Sequence, residues 1–175
     1  MMIKITEYQE LDTRKLMDVY AEGNYENTEY FFPDEEDKSI AVQKVEAGFL
    51  NFLKNDFFSK SDAIYWILDI DGIWVSALRT CMIQDDLYYM EALETRPDCR
   101  RKGYEATLLS GVVEAFKENG SFRLCSCVSK RNVASLKTHE KCGFRIVSEE
   151  GYNYLSGEAD NNNFGMEYSY RWREI

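Results

Sequence analysis

The sequence has little of what usually does chemistry unaided: one histidine and two prolines in 175 residues, and 21 lysines and arginines against 31 aspartates and glutamates. The five cysteines, Cys81, Cys99, Cys125, Cys127 and Cys142, include no pair with the two-residue spacing of structural zinc sites, and His139 alone cannot complete such a site. No metal is expected, and the thiols read as reduced. No apolar run approaches the roughly 18 residues that mark a membrane span, and the opening Met1-Met2-Ile3-Lys4-Ile5-Thr6-Glu7 has no signal-peptide core. The sequence therefore points to a cytoplasmic chain with no membrane partner. A net charge of −10 repels phosphodiester backbones and argues against nucleic acid as a partner. With only Pro33 and Pro97 and no Pro/Gly/Ser-rich stretch, no linker divides the chain, and residues 1–175 read as one domain. A hydrophobic content of 45%, with 14% aromatic, suffices for a single core.

What is present is a succession of short periodic segments. Residues 3–8 alternate as a strand, and a helix follows from Asp12, which can cap it, with Leu16, Val19 and Tyr20 on one face. Residues 24–37, rich in acids and aromatics, read as a loop before a second helix that carries Ala41, Val45, Gly48, Phe49 and Phe52 at helical spacing. Three β-rich runs, 63–70, 73–83 and 87–95, are separated by Asp71-Gly72 and Asp85-Asp86 and predict an antiparallel meander. Pro97 stops the last, and from 101 to 117 Leu108, Leu109, Val112, Val113 and Phe116 recur with helical period until Gly120. A strand at 122–128, a short helix at 132–142 closed by Gly143, and strands at 144–147, 152–155 and 166–172 around an Asn-rich loop complete the chain.

The densest positive charge in this acidic chain is Arg96, Arg100, Arg101 and Lys102, at a strand-to-helix turn where free backbone amides and the helix dipole favour an anion. Gly103, without a Cβ, lets that backbone approach a phosphate. The segment 93–109 resembles the acyl-coenzyme-A-binding motif of the GNAT superfamily of N-acetyltransferases, Arg/Gln-x-x-Gly-x-Gly/Ala: Arg100 and Gly103 match, and Glu105 departs at the third position. The segment 132–144 is similar to a second stretch of that family, with Asn132, Ser135, His139 and Gly143-Phe144 all in place.

The resemblance implies a mixed α/β fold, a central and mainly antiparallel sheet of about seven or eight strands flanked by about four helices and splayed between the strand before Pro97 and the strand at Phe122. It implies acetyl-coenzyme A as co-substrate, with the main chain at Leu93 and Thr95 along the pantetheine arm. The turn Arg100, Arg101, Lys102, Gly103, Tyr104, Glu105 and Ala106 would take the pyrophosphate, and Asn132 would lie near the cysteamine end. His139 would lie near the thioester sulfur, either as a general acid or as a packed, hydrogen-bonded residue. On the strand 87–95, strict alternation puts Tyr89, Glu91, Leu93 and Thr95 on one face, so Glu91 is the candidate base and Tyr89 a substrate contact. The segment 24–37, with Glu26, Glu29, Asp34, Glu35, Glu36 and Asp37 beside Tyr25, Tyr30 and Phe31, would shape the acceptor pocket, Tyr30 serving as a substrate contact. Its acidity suggests a cationic small-molecule or peptide amine, with aromatic faces for cation–π contact. Two functions remain open on the sequence: acetyl transfer to a primary amine by direct attack, or a non-catalytic acyl-coenzyme-A-binding or protein-interaction module with a site weakened by Glu105. A homodimer is compatible with either.

Overall fold

In the computed structural model, which describes residues 1–172, the chain begins with β1 (Met2–Ile5) at a sheet edge. A single 3-10 turn over Tyr8–Glu10 follows, in which the Glu10 carboxylate accepts from the N–H groups of Thr6 and Glu7 at 3.1 Å. Asp12 caps α1 (Thr13–Val19) by accepting from the Lys15 N–H at 3.1 Å, and Asp37 caps α3 (Lys38–Asn55) through the N–H groups of Ser39 and Ile40. Between them lies α2 (Ala21–Phe31), where a loop was expected. The hydrophobic period is invisible there because the residues α2 buries are Asn24 and Thr28, one turn apart. Thr28 is satisfied by donating to the Tyr25 carbonyl at 2.6 Å, and the Asn24 amide is turned to the Met17 sulfur at 3.5 Å.

The meander consists of β2 (Ile64–Ile70), β3 (Ile73–Gln84) and β4 (Leu87–Thr95), turning at Asp71-Gly72 and at Asp85-Asp86. Next come α4 (Tyr104–Lys117), β5 (Phe122–Ser129), α5 (Val133–Lys141), β6 (Arg145–Ser148), β7 (Gly151–Asn153), β8 (Glu158–Asp160) and β9 (Asn163–Tyr170). The main sheet has seven strands in the order β1-β2-β3-β4-β5-β9-β6, every neighbour antiparallel except β4 and β5, while β7 and β8 pair as a separate hairpin. The hairpin takes in part of the stretch expected to be an Asn-rich loop, and β9 starts three residues before the expected 166. The central antiparallel sheet flanked by helices is as the sequence predicts; the helices number five among the described residues.

Helix α4 seals one face of the sheet: Leu108, Leu109, Val112, Val113 and Phe116 pack on Trp66, Leu78, Met90 and Leu124. The other face is covered by α1 and α3, with Leu16, Val19 and Leu53 against Tyr65, Ile67, Ala77 and Cys81. Truncating a fully buried leucine such as Leu108 to alanine in such a core costs about 2–5 kcal/mol.

Two irregularities of β4 position the site. Its parallel pairing with β5 runs from Leu87↔Arg123 to Met90↔Ser126 and then stops, so from Glu91 to Thr95 one edge of β4 is unpaired. Ala92 has φ +57°, and the pairing with β3 steps from Arg79↔Glu91 to Ala77↔Glu94, so Ala92 and Leu93 both stand opposite Leu78 in a β-bulge. The bulge breaks the side-chain alternation. Ala92 packs with the core under α1 and α3, whereas Leu93 joins the core under α4. The expected single face of Tyr89, Glu91, Leu93 and Thr95 is therefore split. Glu91, opposite Arg79, looks toward α3, and Tyr89, opposite Cys81, packs with Leu87, Cys125 and Tyr154, while Leu93 and Thr95 look toward α4.

Candidate active site

A cleft of about 640 Å³ opens on the α4 side of the β4 bulge, running from Leu93, Glu94 and Thr95 across the basic turn and along α5 as far as Lys141. Its middle is main chain. Arg101 and Gly103 are both left-handed, at φ +62° and +77°, and Gly103 occupies the N-cap of α4 with no side chain capping the helix. Successive amides in such a turn form an anion-binding concavity at the positive end of the helix dipole. A Cβ on Gly103 would meet no atom within 4 Å, so glycine is required by the backbone angle and the space before it is free.

The side chains around this turn are of mixed sign. Arg100, Arg101, Lys137 and Lys141 line the cleft together with Glu22, Glu26, Glu94 and Glu105. Arg100 is engaged: Nη1 donates to both carboxylate oxygens of Glu22 at 2.9 Å and Nη2 to Glu94 at 3.3 Å. Burial raises the pKa of Glu94 against the pull of Arg100, and burial with the neighbouring Glu94 charge raises that of Glu105. Tyr104, Ala106, Asn132 and Ser135 are also in the lining, and the Asn132 side-chain Oδ1 caps α5 by accepting from the Ser135 N–H at 3.0 Å. Lys102 is exposed and outside the lining.

A second cavity of about 500 Å³ lies on the opposite side of β4, between α2 and α3, and reaches Ala92. It is lined by Tyr20, Phe31, Phe32, Phe49 and Phe52, with Arg79 and Lys44 as its charged residues. The Tyr20 hydroxyl donates to the Ala92 carbonyl at 2.6 Å, tying helix to bulge. Arg79 holds Glu91: Nε and Nη2 both reach Oε1, at 2.8 and 2.7 Å, with the two side chains 11% and 20% exposed.

A sequence profile described as the Acetyltransferase (GNAT) family matches residues 7–144. The chain belongs to the GNAT acetyltransferase family. No curated protein sequence matches it. Among solved structures the fold is similar to the PaiA N-acetyltransferase of Thermoplasma acidophilum in complex with coenzyme A, at 16% identity and TM-score 0.62, covering 97% of this chain and 99% of that one. The ribosomal-protein-S18-alanine N-acetyltransferase of Escherichia coli matches at 18% identity and TM-score 0.61, over 99% and 97% of the two chains. YncA of Salmonella typhimurium, a structure with acetyl-CoA as its cofactor, matches at 13% identity and TM-score 0.59, over 100% and 97%.

Within this GNAT chain the structure gathers Leu93, Thr95, Arg100, Arg101, Gly103, Tyr104, Glu105, Ala106 and Asn132 in one cleft. It does not bring His139 there. His139 is 2% exposed, against Phe144, with Nδ1 2.8 Å from the Ser135 carbonyl oxygen and Nε2 3.1 Å from the Ser126 hydroxyl. A carbonyl only accepts, so Nδ1 carries the hydrogen and Nε2 accepts from Ser126; burial also depresses the pKa. Tyr89 is buried against Tyr154, and burial, then the neighbouring Cys127, pushes its phenol up, so it stays protonated. Tyr30 is 80% exposed and lines neither cavity, although its edge-to-face partner Phe31 does. The carboxylates expected to attract a cationic acceptor lie elsewhere: Glu29 pairs with Lys38, Glu35 with Lys44, and Glu26 faces the α4-side cleft. Sequence reasoning missed Arg79, Tyr20, Lys137 and Lys141. Gly23 and Gly48, in otherwise helical runs, were the available signal for the second cavity. Among the described residues no three His, Cys, Asp or Glu gather as a metal site, all five cysteines are free, and no helix is long and apolar enough to cross a membrane.

Proposed function

We propose that this chain is an N-acetyltransferase that moves the acetyl group of acetyl-coenzyme A to an amine by direct attack. The observation that carries the reading is the left-handed, uncapped turn at Arg101–Gly103 placed in one cleft with the unpaired edge of β4. These residues fit the group: an extended amide-bearing arm can pair with the edge of β4 that β5 leaves open, where the Thr95 N–H is held by the Glu94 carboxylate at 3.3 Å, and a pyrophosphate can take the amides of residues 101–106, with Lys137 and Lys141 adding charge. Acetyl-coenzyme A, when bound, supplies an activated thioester, so the protein's part is positioning and proton management.

The incoming amine must be neutral to attack. Glu91 lies on the α3-side face of β4, one residue before the bulge, and Arg79 occupies Oε1. Oε2 is the acceptor for the amine proton, directly or through water. His139 acts as a positioning residue: its Nε2 fixes the Ser126 hydroxyl, which stands at the last β4–β5 pair, where the strands part.

Thiol release from acetyl-coenzyme A, followed with a mixed amine panel, tests the reading; release that requires both amine and protein is expected. A second reading, a binding module without turnover, is favoured by one observation: Arg100 is held by Glu22 and Glu94 beside Glu105. Thermal stabilisation by acetyl-coenzyme A with no thiol release under any amine would select it.

A further inference from the structure

Arg79 is a buried cation with an unmet bond. Its guanidinium carbon lies 5.5, 5.0 and 5.6 Å from the ring centres of Phe49, Phe52 and Phe57, in a low-dielectric setting. Glu91 takes Nε and Nη2, whereas Nη1 is buried with no hydrogen-bond partner. The nearby phenols donate elsewhere, Tyr65 to Tyr20 at 2.8 Å and Tyr20 to the Ala92 carbonyl at 2.6 Å, and Glu91 is the one carboxylate bonded to Arg79 among the described residues. An unpartnered buried donor carries its full desolvation cost, and the strongest partner for a guanidinium is a carboxylate.

The cavity that Arg79 lines suits such a partner. Its walls are aromatic, no carboxylate is among its lining residues, and its other charged residue, Lys44, is paired with Glu35 outside the lining. It is also held open. Gly23 of α2 and Gly48 of α3 both line it, and a Cβ on either would meet no atom within 4 Å. Glycine weakens a helix interior, and neither position needs it for a close approach or a positive φ.

We propose that this cavity is the acceptor subsite and that it selects an amine which also carries an apolar body and a carboxylate, the carboxylate seated on Arg79. This rests on the acetyltransferase reading for the word acceptor, and it reverses the cationic preference expected from the acidity of residues 24–37. The amine end would meet the bulge at Ala92, beside Glu91.

The test is calorimetric titration of the full chain with three probes of one shape: 3-phenylpropionate, 3-phenylpropan-1-ol and 3-phenylpropylamine. The carboxylate is expected to bind about tenfold or more tightly than the alcohol, with the amine weakest. In Gly48→Leu, which fills the cavity without touching the ion pair, carboxylate binding is expected to be lost while the melting temperature holds or rises. Arg79→Lys, which keeps the charge and drops the fork, is expected to erase the preference over the alcohol. Equal binding of the three, preference for the amine, no binding of the carboxylate, or retained binding in Gly48→Leu would each overturn the proposal. Titration of the wild type with acetyl-coenzyme A separates the two readings: failure there, with 3-phenylpropionate still bound, removes the acetyltransferase reading and leaves the carboxylate site standing.

Discussion

The two cavities flanking β4 differ in what does the binding. On the α4 side the functional groups are main-chain amides, presented by a left-handed turn and a strand edge, and the side chains around them oppose one another in charge. On the α2/α3 side the functional group is one buried guanidinium among aromatic rings, and the main chain is already paired. A backbone site tolerates side-chain change, which explains how Glu105 can stand at a position where the family pattern has a small residue. A side-chain site has no such tolerance.

The largest effect separating the two should come from Arg79→Met. Removing one partner of a buried ion pair costs about 3 kcal/mol, read as a lower urea midpoint. Adding Glu91→Leu should restore much of it by removing the stranded carboxylate. If single and double variants unfold alike, the pair does not order the α2/α3-side cavity. Next in size is Gly103→Val. At φ +77° a β-branched residue pays about 1–2 kcal/mol and re-aims the turn, so acetyl-coenzyme A should bind about tenfold more weakly by calorimetry. Binding of 3-phenylpropionate should be unchanged in that variant; a matching loss would make the two cavities one site.

How far the sequence disclosed these regions follows from the same difference. The α4-side cleft was legible because its parts are local: Arg100, Gly103, Asn132 and Ser135 sit at short fixed spacings, and a turn followed by an amphipathic helix is a pattern of neighbours. The meander, the splay and α4 were legible for the same reason. The α2/α3-side cavity was not, since Arg79 meets Phe49, Glu91 and Tyr65 only through strand register and helix packing. Helix α2 escaped notice because it buries Asn24 and Thr28 instead of apolar residues, and the bulge because Ala92 is left-handed without being glycine. The face assigned to Tyr89, Glu91, Leu93 and Thr95 then failed on that one dihedral angle, and His139 fitted its motif while its two ring nitrogens were taken by Ser135 and Ser126.

A smaller effect probes the opposed charges of the α4-side cleft. Burial raises Glu105 above the ordinary carboxylate value of 4.5, so it takes up a proton at a higher pH than a free carboxyl would. As pH falls, the cleft loses negative charge and acetyl-coenzyme A should bind more tightly. Glu105→Gln should bind severalfold more tightly than wild type at pH 7.5 and show the shallower pH dependence, the ligand's own phosphate titration being common to both. Equal pH dependence in the two would place Glu105 outside the anion's field.

The smallest effect concerns His139. Its folded value lies below the 6.5 of the free side chain, so between the two the unfolded chain binds more protons. Its contribution to stability is therefore present above pH 6.5 and lost as pH falls through that window. The melting temperature of wild type should drop more between pH 7.5 and 5.5 than that of His139→Gln. A steeper drop in the variant would mean that His139 is charged in the fold.

The main-chain amides of β4 and of the turn before α4 are expected to receive acetyl-coenzyme A. Amide hydrogen exchange of the full chain, with and without saturating acetyl-coenzyme A, reads those amides directly. The expected result is new protection at residues 93–95 and 101–106 with little change along α3. Unchanged exchange at both segments under saturation, or protection confined to other parts of the chain, would contradict it.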